Sequence, residues 1–372
     1  MVLAFPMISL RLTGCLVLIL SGCATLPTFR GPPTQLAKTV PAWPDGLIDY
    51  RGIIHCHCYL SHDSRGTFEE IGRACERVGI DYLIMTDHIT PVSVLNGLRG
   101  KSGRTLFLVG AEISKGGASI LGLDLNGYVD RKLSTDGVVK AIHKQGGLAF
   151  VGHAEAFRDW QVAGFDGIEL YNVHANALQH NEAWLALKAL LIPPGSLFRS
   201  IIDLYPGNFQ HWDGTTQQHR WVGIFGNDAH QNIHLFGPRA GTIGTYEQIF
   251  KISTTHVIAP RLDRESIMAA LTRGHCYGAL EIWGDPTGFA FTARSGTSTA
   301  LMGDEMVFHP NSLFHIQLPV AAEVRIIRNG RQLYQAKQQT LSYQPLWPGV
   351  YRVEAWLHGR PWIFSNPIYL NQ

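Results

Sequence analysis

The sequence predicts an α/β protein whose strands run largely parallel, followed by a small all-β sandwich. Three observations carry this. Between residues 48 and 230, short continuous apolar runs alternate with stretches of helical periodicity, as in sheets buried on both faces. Those runs end abruptly in His, Asp, Glu or Asn, which is how such folds deliver side chains to a site at the carboxyl ends of their strands. From about Pro286 the texture becomes alternating, as in half-buried antiparallel strands. Composition fits a folded chain: 45% hydrophobic and 16% charged residues exclude a disordered or coiled-coil protein. A net charge of +2 without blocks of like charge gives no nucleic-acid groove. The 17 histidines, several close to Asp and Glu, are the composition of a metal site.

The amino terminus reads as an address. Arg11 precedes an apolar stretch, residues 12–20, that is too short to span a bilayer and reads as a secretory signal. It ends in Leu20-Ser21-Gly22-Cys23, which resembles the lipobox of bacterial lipoproteins. Residues 1–23 are then a signal peptide, with Met7 an alternative start, and Cys23 becomes the lipidated first residue on a lipid bilayer. An ordinary secretory signal or a buried strand is the alternative. Residues 24–47 carry Pro27, Pro32, Pro33, Pro41 and Pro44, the composition of a tether. Ala24 after the cysteine favours the outer membrane of a two-membrane cell. Cys56, Cys58, Cys75 and Cys276 have no zinc-ribbon spacing and are expected as buried free thiols.

Residues 48–284 hold the alternating region. Gly52-Ile53-Ile54 runs into His55 and His57, and Tyr82-Leu83-Ile84-Met85 into Asp87 and His88. Leu106-Phe107-Leu108-Val109 runs towards Glu112, and Leu148-Ala149-Phe150-Val151 towards His153. Gly167-Ile168-Glu169-Leu170 leads to Asn172, and Trp221-Val222-Gly223-Ile224-Phe225 to Asp228 and His230. Between them, residues 67–78 place Ile71, Ala74, Cys75 and Val78 on one helical stripe with Gly79 as a stop. Residues 134–144 repeat the pattern with Val138, Val139 and Ile142. In an extended segment, residues i and i+2 face the same way, so His55 and His57 can grip one ion while Cys56 and Cys58 pack behind.

As an ordered set these residues match a family. His55-Cys-His57-Cys-Tyr-Leu-Ser61-His-Asp63-Ser64, Thr86-Asp87-His88, Gly147-Leu-Ala-Phe-Val-Gly-His153 and Gly226-Asn227-Asp228-Ala229-His230 resemble the four motifs of the polymerase-and-histidinol-phosphatase (PHP) domain. Gly110-Ala-Glu112-Ile-Ser and Gly164-Phe-Asp-Gly-Ile-Glu-Leu-Tyr-Asn172 also stand in family order. The resemblance covers roughly residues 48–280. It implies a distorted (β/α)7 barrel and two or three divalent ions (Mn, Zn or Fe) at its mouth. It also implies hydrolysis, most often of phosphate esters, by a metal-held water with no separate protein nucleophile. One ion would take His55, His57, Glu112 and Asp228. A second would share Glu112 and add His153, and a third would take Asp63, His88 and His230. Ser119 stands where the family usually has a His, which leaves the second ion with only Glu112 and His153. His62, His174 and His234 are possible recruits, though each taken singly is expected as a substrate-side or structural residue.

Around this set, Arg239 is a candidate clamp for an anionic substrate, or a surface residue. Asn172 lines the pocket or caps the next turn. His211 and Asp213 are read as structural. Residues 285–372 form the sandwich, with a hairpin turning at Asn329-Gly330. Trp347, Trp356 and Trp362 are expected in core or interdomain packing rather than as a carbohydrate platform. The ending Arg360-Pro-Trp-Ile-Phe-Ser-Asn-Pro-Ile-Tyr369 resembles the close of the carbaryl-hydrolase-like branch of PHP proteins, which implies carbamates and other esters besides phosphates. Three readings follow: an envelope-anchored metal-dependent phosphoesterase acting on a small-molecule ester, a metallohydrolase of carboxyl esters, carbamates or amides, and a non-enzymatic binding module on a degenerate barrel.

Overall fold

The computed structural model describes residues 43–372 except 45, 232 and 235–241. The expected signal peptide, Cys23, most of the tether, and Arg239 lie outside the described residues. Trp43, near the end of the expected tether, is already buried against Ile258 and Tyr277.

Each apolar run is a strand: Ile48–Ile54, Tyr82–Met85, Thr105–Val109, Leu148–Gly152, Gly167–Asn172 and Val222–Gly226. They are buried on both faces because helices pack outside them and a common interior lies within. The pairs Ile53–Leu83, Leu83–Phe107, Val151–Ile168 and Ile168–Gly223 are parallel. The helix Phe68–Val78 starts on a Thr67–Glu70 capping box and stops at Gly79 in the left-handed region. The helix Thr135–His143 starts on Ser134.

Two expectations need correction. No single ladder closes into a (β/α)7 barrel among the described residues. A five-stranded sheet meets a 14-stranded one through isolated parallel bridges, Cys56 with Ala229 and His88 with Glu112, rather than through continuous ladders. Glu112 lies on its own strand, Ala111–Lys115, which forms an antiparallel hairpin with Ala118–Leu123. The break falls at Gly110, where a Cβ would stand 2.3 Å from the Gly122 carbonyl oxygen, so the chain turns there from one sheet into the other. The two sheets still enclose one interior: Ile54, Ile84 and Leu108 from one meet Leu121, Phe150 and Ile224 from the other.

The carboxyl-terminal strands do not form a separate sandwich of their own hydrogen bonds. Arg360–Ser365 pairs antiparallel with Cys276–Ala279 and so continues the larger sheet. Alternation in the sequence identifies such strands but does not say whose edge they occupy. The hairpin Leu313–Arg328 with Arg331–Tyr343 turns at Asn329 and Gly330, both at positive φ. Trp362 is core, whereas Trp347 is 55% exposed and Trp356 lies under the Arg325 guanidinium. All four described cysteines are buried and free.

Asp213 has the structural role read from the sequence. It takes Arg352 through two hydrogen bonds of 2.7 and 2.8 Å, and the guanidinium lies 5.3 Å from the Trp212 ring centroid. Arg352 also holds Glu354 at 2.6 Å and so stays partly compensated. Asp213→Ala should lower unfolding free energy by about 1.5–3 kcal/mol, the loss of hydrogen bonding to a charged group, read from the denaturant midpoint.

His256 sits buried between Asp49 at 2.8 Å and Glu281 at 3.1 Å, with Arg51 also on Glu281. Burial pulls its pKa down, but the two carboxylates outweigh this and lift it to about 9. A raised pKa contributes stability that is complete below the unfolded value, roughly 6.5, and is lost as pH rises towards 9. The melting temperature should therefore fall between pH 7 and pH 9 by more in the native chain than in His256→Gln.

Candidate metal centre

Three of the candidate ligands occupy backbone that non-glycine residues seldom adopt: His55 at φ 68°, His153 at φ 48° and Asp228 at φ 53°. Each follows the end of a buried strand and turns its side chain inward. The convergence of His55 and His57 is thus not the i, i+2 alternation of an extended strand. The strand ends at Ile54, and the left-handed turn at His55 redirects the chain. Cross-links between strand ends hold these turns. The Asp228 amide donates to the His55 carbonyl at 2.6 Å, the His57 amide to the Ala229 carbonyl at 3.0 Å, and the Glu112 amide to the Thr86 carbonyl at 3.1 Å.

The structure gathers all eight predicted ligands into adjoining groups. His55, Glu112, His153 and Asp228 form one set able to hold an ion, and His57, Asp63, His88 and His230 another. This regroups the expected sets, since His153 joins His55 while His57 joins Asp63, His88 and His230; Glu112 and Asp228, in the first set, also face His57 of the second. Glu112 Oε2 lies 3.3 Å from His57 Nε2 and 3.5 Å from His55 Nε2, while Oε1 lies 3.2 Å from His153 Nε2. Asp228 Oδ1 lies 3.2 Å from His57 Nε2 and 3.3 Å from His55 Nε2, while Oδ2 lies 3.3 Å from His153 Nε2. Asp63 Oδ2 reaches His88 at 2.9 Å and His230 at 3.3 Å.

These donors fit a cation better than they fit one another. His55 Nε2, His57 Nε2 and Asp228 Oδ1 are buried and make no hydrogen bond, although both nitrogens face the same Asp228 oxygen. Buried polar atoms are seldom left so. Donors about 2.0–2.2 Å from one ion stand roughly 3–3.5 Å apart, the spacing observed. The expectation of only two donors for the second ion changes too, because Asp228 Oδ2 faces His153 beside Glu112 Oε1. Ser119, buried opposite Gly152, has no hydrogen-bond partner for its hydroxyl.

Electrostatics show how strongly the groups feel each other. Burial alone would push the carboxyls of Glu112 and Asp228 up, yet the histidines, His55 foremost, hold both well below the usual range. Conversely, burial would lower His57 and His153, but Asp228 and Glu112 raise His57 to about 9, and Glu112 and Glu155 lead in raising His153 to about 12. The cup demands positive charge, and protons on imidazole compete for it with any metal.

Several supporting residues carried no role in the sequence reading. Glu169 Oε1 lies 2.7 Å from His55 Nδ1, and Oε2 accepts from the His153 amide at 2.9 Å and from Asn172 Nδ2 at 3.1 Å. His57 Nδ1 lies 2.9 Å from Ser61 Oγ, which donates to Asp87 at 3.0 Å, and His230 Nδ1 donates to the Asp228 carbonyl at 2.8 Å. Each partner ties up Nδ1 and leaves the Nε2 lone pair for a ligand. A charged residue inside the apolar strand Gly167–Asn172 was the signal that could have singled out Glu169. Asn172 both caps the following helix through Ala175 and reaches Asp228 Oδ2 at 3.3 Å.

Among the possible recruits, His174 joins Asp228 and His230 in a third potential group. His62 is exposed, with its ring 4.7 Å from that of His88. The side chain of His234 lies outside the description. His211 stacks on Trp160.

Glu169→Gln should keep the shape but weaken the hold on His55, lowering metal affinity roughly 10- to 100-fold by isothermal titration.

No protein-family model and no curated protein matches the sequence. Among solved structures, the chain is similar to a two-domain protein from Bacteroides vulgatus containing a predicted PHP-like metal-dependent phosphoesterase. Identity there is 13%, covering 89% of this chain and 99% of that one at a TM-score of 0.42. It is similar to PsfC from Pseudomonas syringae, at 17% identity over 60% and 87% of the two chains with a TM-score of 0.36. It is also similar to an amidohydrolase from Chromobacterium violaceum, at 16% identity over 48% and 87% with a TM-score of 0.29. At such superpositions none of them assigns an activity, and the residues of the site have to do so.

Proposed function

We propose that the protein is a metal-dependent hydrolase of the PHP type, with phosphate esters as its first substrate class. The single observation that carries this is that His55 Nε2 and His57 Nε2 both face Asp228 Oδ1, at 3.3 and 3.2 Å, with all three atoms buried and without hydrogen bonds. Divalent cations there would supply a Lewis acid and an activated water. The chain's own contribution is to hold, orient and exclude. Glu112 and Asp228 each present an oxygen to two sides and so fix the two donor groups relative to one another. Glu169, Ser61 and the Asp228 carbonyl fix ring orientation. Asn172 Nδ2 aims a donor at the same cup. Neither cysteine near the site is placed as a nucleophile: Cys56 and Cys58 are buried behind it, and burial raises both thiol pKa values.

A second reading, hydrolysis of a carboxyl ester, carbamate or amide, is favoured by the cavity beside His174 and His230. Its described walls are mainly apolar, including Val173, Ala177, Phe198 and Ile249, and include no Lys or Arg. Apolar walls suit an uncharged ester, and cationic walls a phosphate. The Leu20-Ser21-Gly22-Cys23 motif supports export and anchoring through Cys23 to the cell envelope.

Purified protein loaded with manganese or zinc should hydrolyse p-nitrophenyl phosphate or bis-phosphate faster than the acetate ester. Asp228→Ala should lose metal-dependent turnover by at least about 100-fold. Acetate turnover exceeding phosphate turnover would move the assignment to the second reading. Less than one ion per chain under replete conditions would move it to a binding module.

A further inference from the structure

The face around the metal centre is unusually apolar for a site built of His, Asp and Glu. The helix Glu182–Leu191 leaves Trp184, Leu187 and Leu191 exposed at 52%, 56% and 73%. Their spacing of i, i+3 and i+7 puts them on one stripe. Leu178 precedes them at 63% exposure. Leu185 on the same helix is instead partly buried against the core. This helix lies at the rim of the site, because its flanking segments line the cavity beside the metal centre. His174 and Ala177 come from the helix before it, and Phe198 from the helix after it. The short helix that follows His88 also exposes Val92 and Leu95. Both apolar groups leave the carboxyl ends of strands that carry the site.

Soluble surfaces seldom group large apolar side chains, and grouping of this kind marks an interaction site. What covers it is indicated by charge and by the remaining chain. Residues 181–200 contain Lys188 and Arg199 against the single acid Glu182. The Lys188 ammonium lies 3.4 Å from the Trp184 ring centroid, at the edge of the apolar stripe. An apolar face bordered by tryptophan and basic residues is the signature of an element lying in a lipid interface. On the lipobox reading, a lipidated Cys23 stands 20 residues before Trp43, where the described chain begins, a reach of at most ~70 Å when extended. We propose that the apolar rim formed by Leu178, Trp184, Leu187 and Leu191 seats on a lipid bilayer. The metal centre then faces the interface, and the substrate is an amphiphilic ester whose apolar part stays in the membrane. The choice of a bilayer rests on the rim together with the lipobox reading of Cys23, and the substrate class rests on the hydrolase reading.

The test uses the full chain with a polarity-sensitive fluorophore at Leu187→Cys, and a control at Gln339→Cys on the exposed strand Arg331–Tyr343. The described native thiols are buried and do not compete for label. On vesicles of phosphatidylethanolamine and phosphatidylglycerol, the probe at 187 should shift to the blue and be quenched by doxyl-labelled lipid, while the probe at 339 stays in water. Adding Leu191→Glu, and in a second chain pairing Leu187→Glu with Leu191→Glu, should leave turnover of a soluble ester unchanged. The paired variant should lower turnover of a vesicle-embedded ester by at least about tenfold. Equal quenching at 187 and 339, or none at 187 on vesicles that retain the chain, overturns the docking. So does shielding of the 187 probe without lipid together with a dimer mass, which would make the stripe a contact between two copies. Absence of turnover on every ester would sink the hydrolase reading while the quenching result still decides the docking.

Discussion

Two carboxylates, Glu112 and Asp228, buried among imidazoles are the constraint on which this molecule turns. A buried carboxylate is tolerable only if cationic or hydrogen-bonding partners compensate its desolvation. Here the partners are Nε2 atoms that sit close enough to feel the charge but, for His55 and His57, without hydrogen bonds. The fold meets this demand with backbone geometry. His55, His153 and Asp228 enter the left-handed region just past the ends of buried strands, and cross-strand hydrogen bonds over-determine those turns. Strain stored in this way is sensible only where the resulting side-chain positions are used.

The carboxylates also change what the substitution at Ser119 implies. With one oxygen of Asp228 facing His55 and His57 and the other facing His153, the place beside His153 has three donors rather than two. A carboxylate that serves both sides couples them. The charge state of one group sets the field at the other, so the cup behaves as one electrostatic unit. This is visible in how His153 and Glu112 shift each other in opposite directions.

Much of this was legible in the residues. Apolar runs ending in His, Asp or Glu marked strand ends, because a strand buried on both faces has no polar positions until it leaves the sheet. The helix at 68–78 was legible from its stripe and from Gly79 as a stop. What stayed hidden depends on φ and on pairing. Nothing in the letters of His55 distinguishes an extended residue from a left-handed one, so the two histidines converge for a different reason than alternation suggests. The hairpin carrying Glu112 was read as the tail of the preceding strand, since Gly110 does not show which carbonyl would meet a Cβ there. Continuity of the carboxyl-terminal strands with the larger sheet was equally invisible, because edge pairing is a choice between surfaces.

That continuity gives the all-β region a mechanical relation to the site. Asn366 accepts from the Gly223 amide at 2.8 Å and donates to the Gly223 carbonyl at 2.9 Å and the Cys276 carbonyl at 2.9 Å. Gly223 belongs to the strand that delivers Asp228, and Phe364 packs on Phe225 of the same strand with ring centroids 5.5 Å apart. The strand therefore has the five-stranded sheet on one side and, near its start, the carboxyl-terminal segment as a brace. A left-handed turn such as the one at Asp228 keeps its place only if the strand leading into it cannot slide, and a side chain that bonds both the amide and carbonyl of one residue prevents sliding. The residues after 285 are thus part of what positions the metal ligands, even though none of them approaches the metal centre.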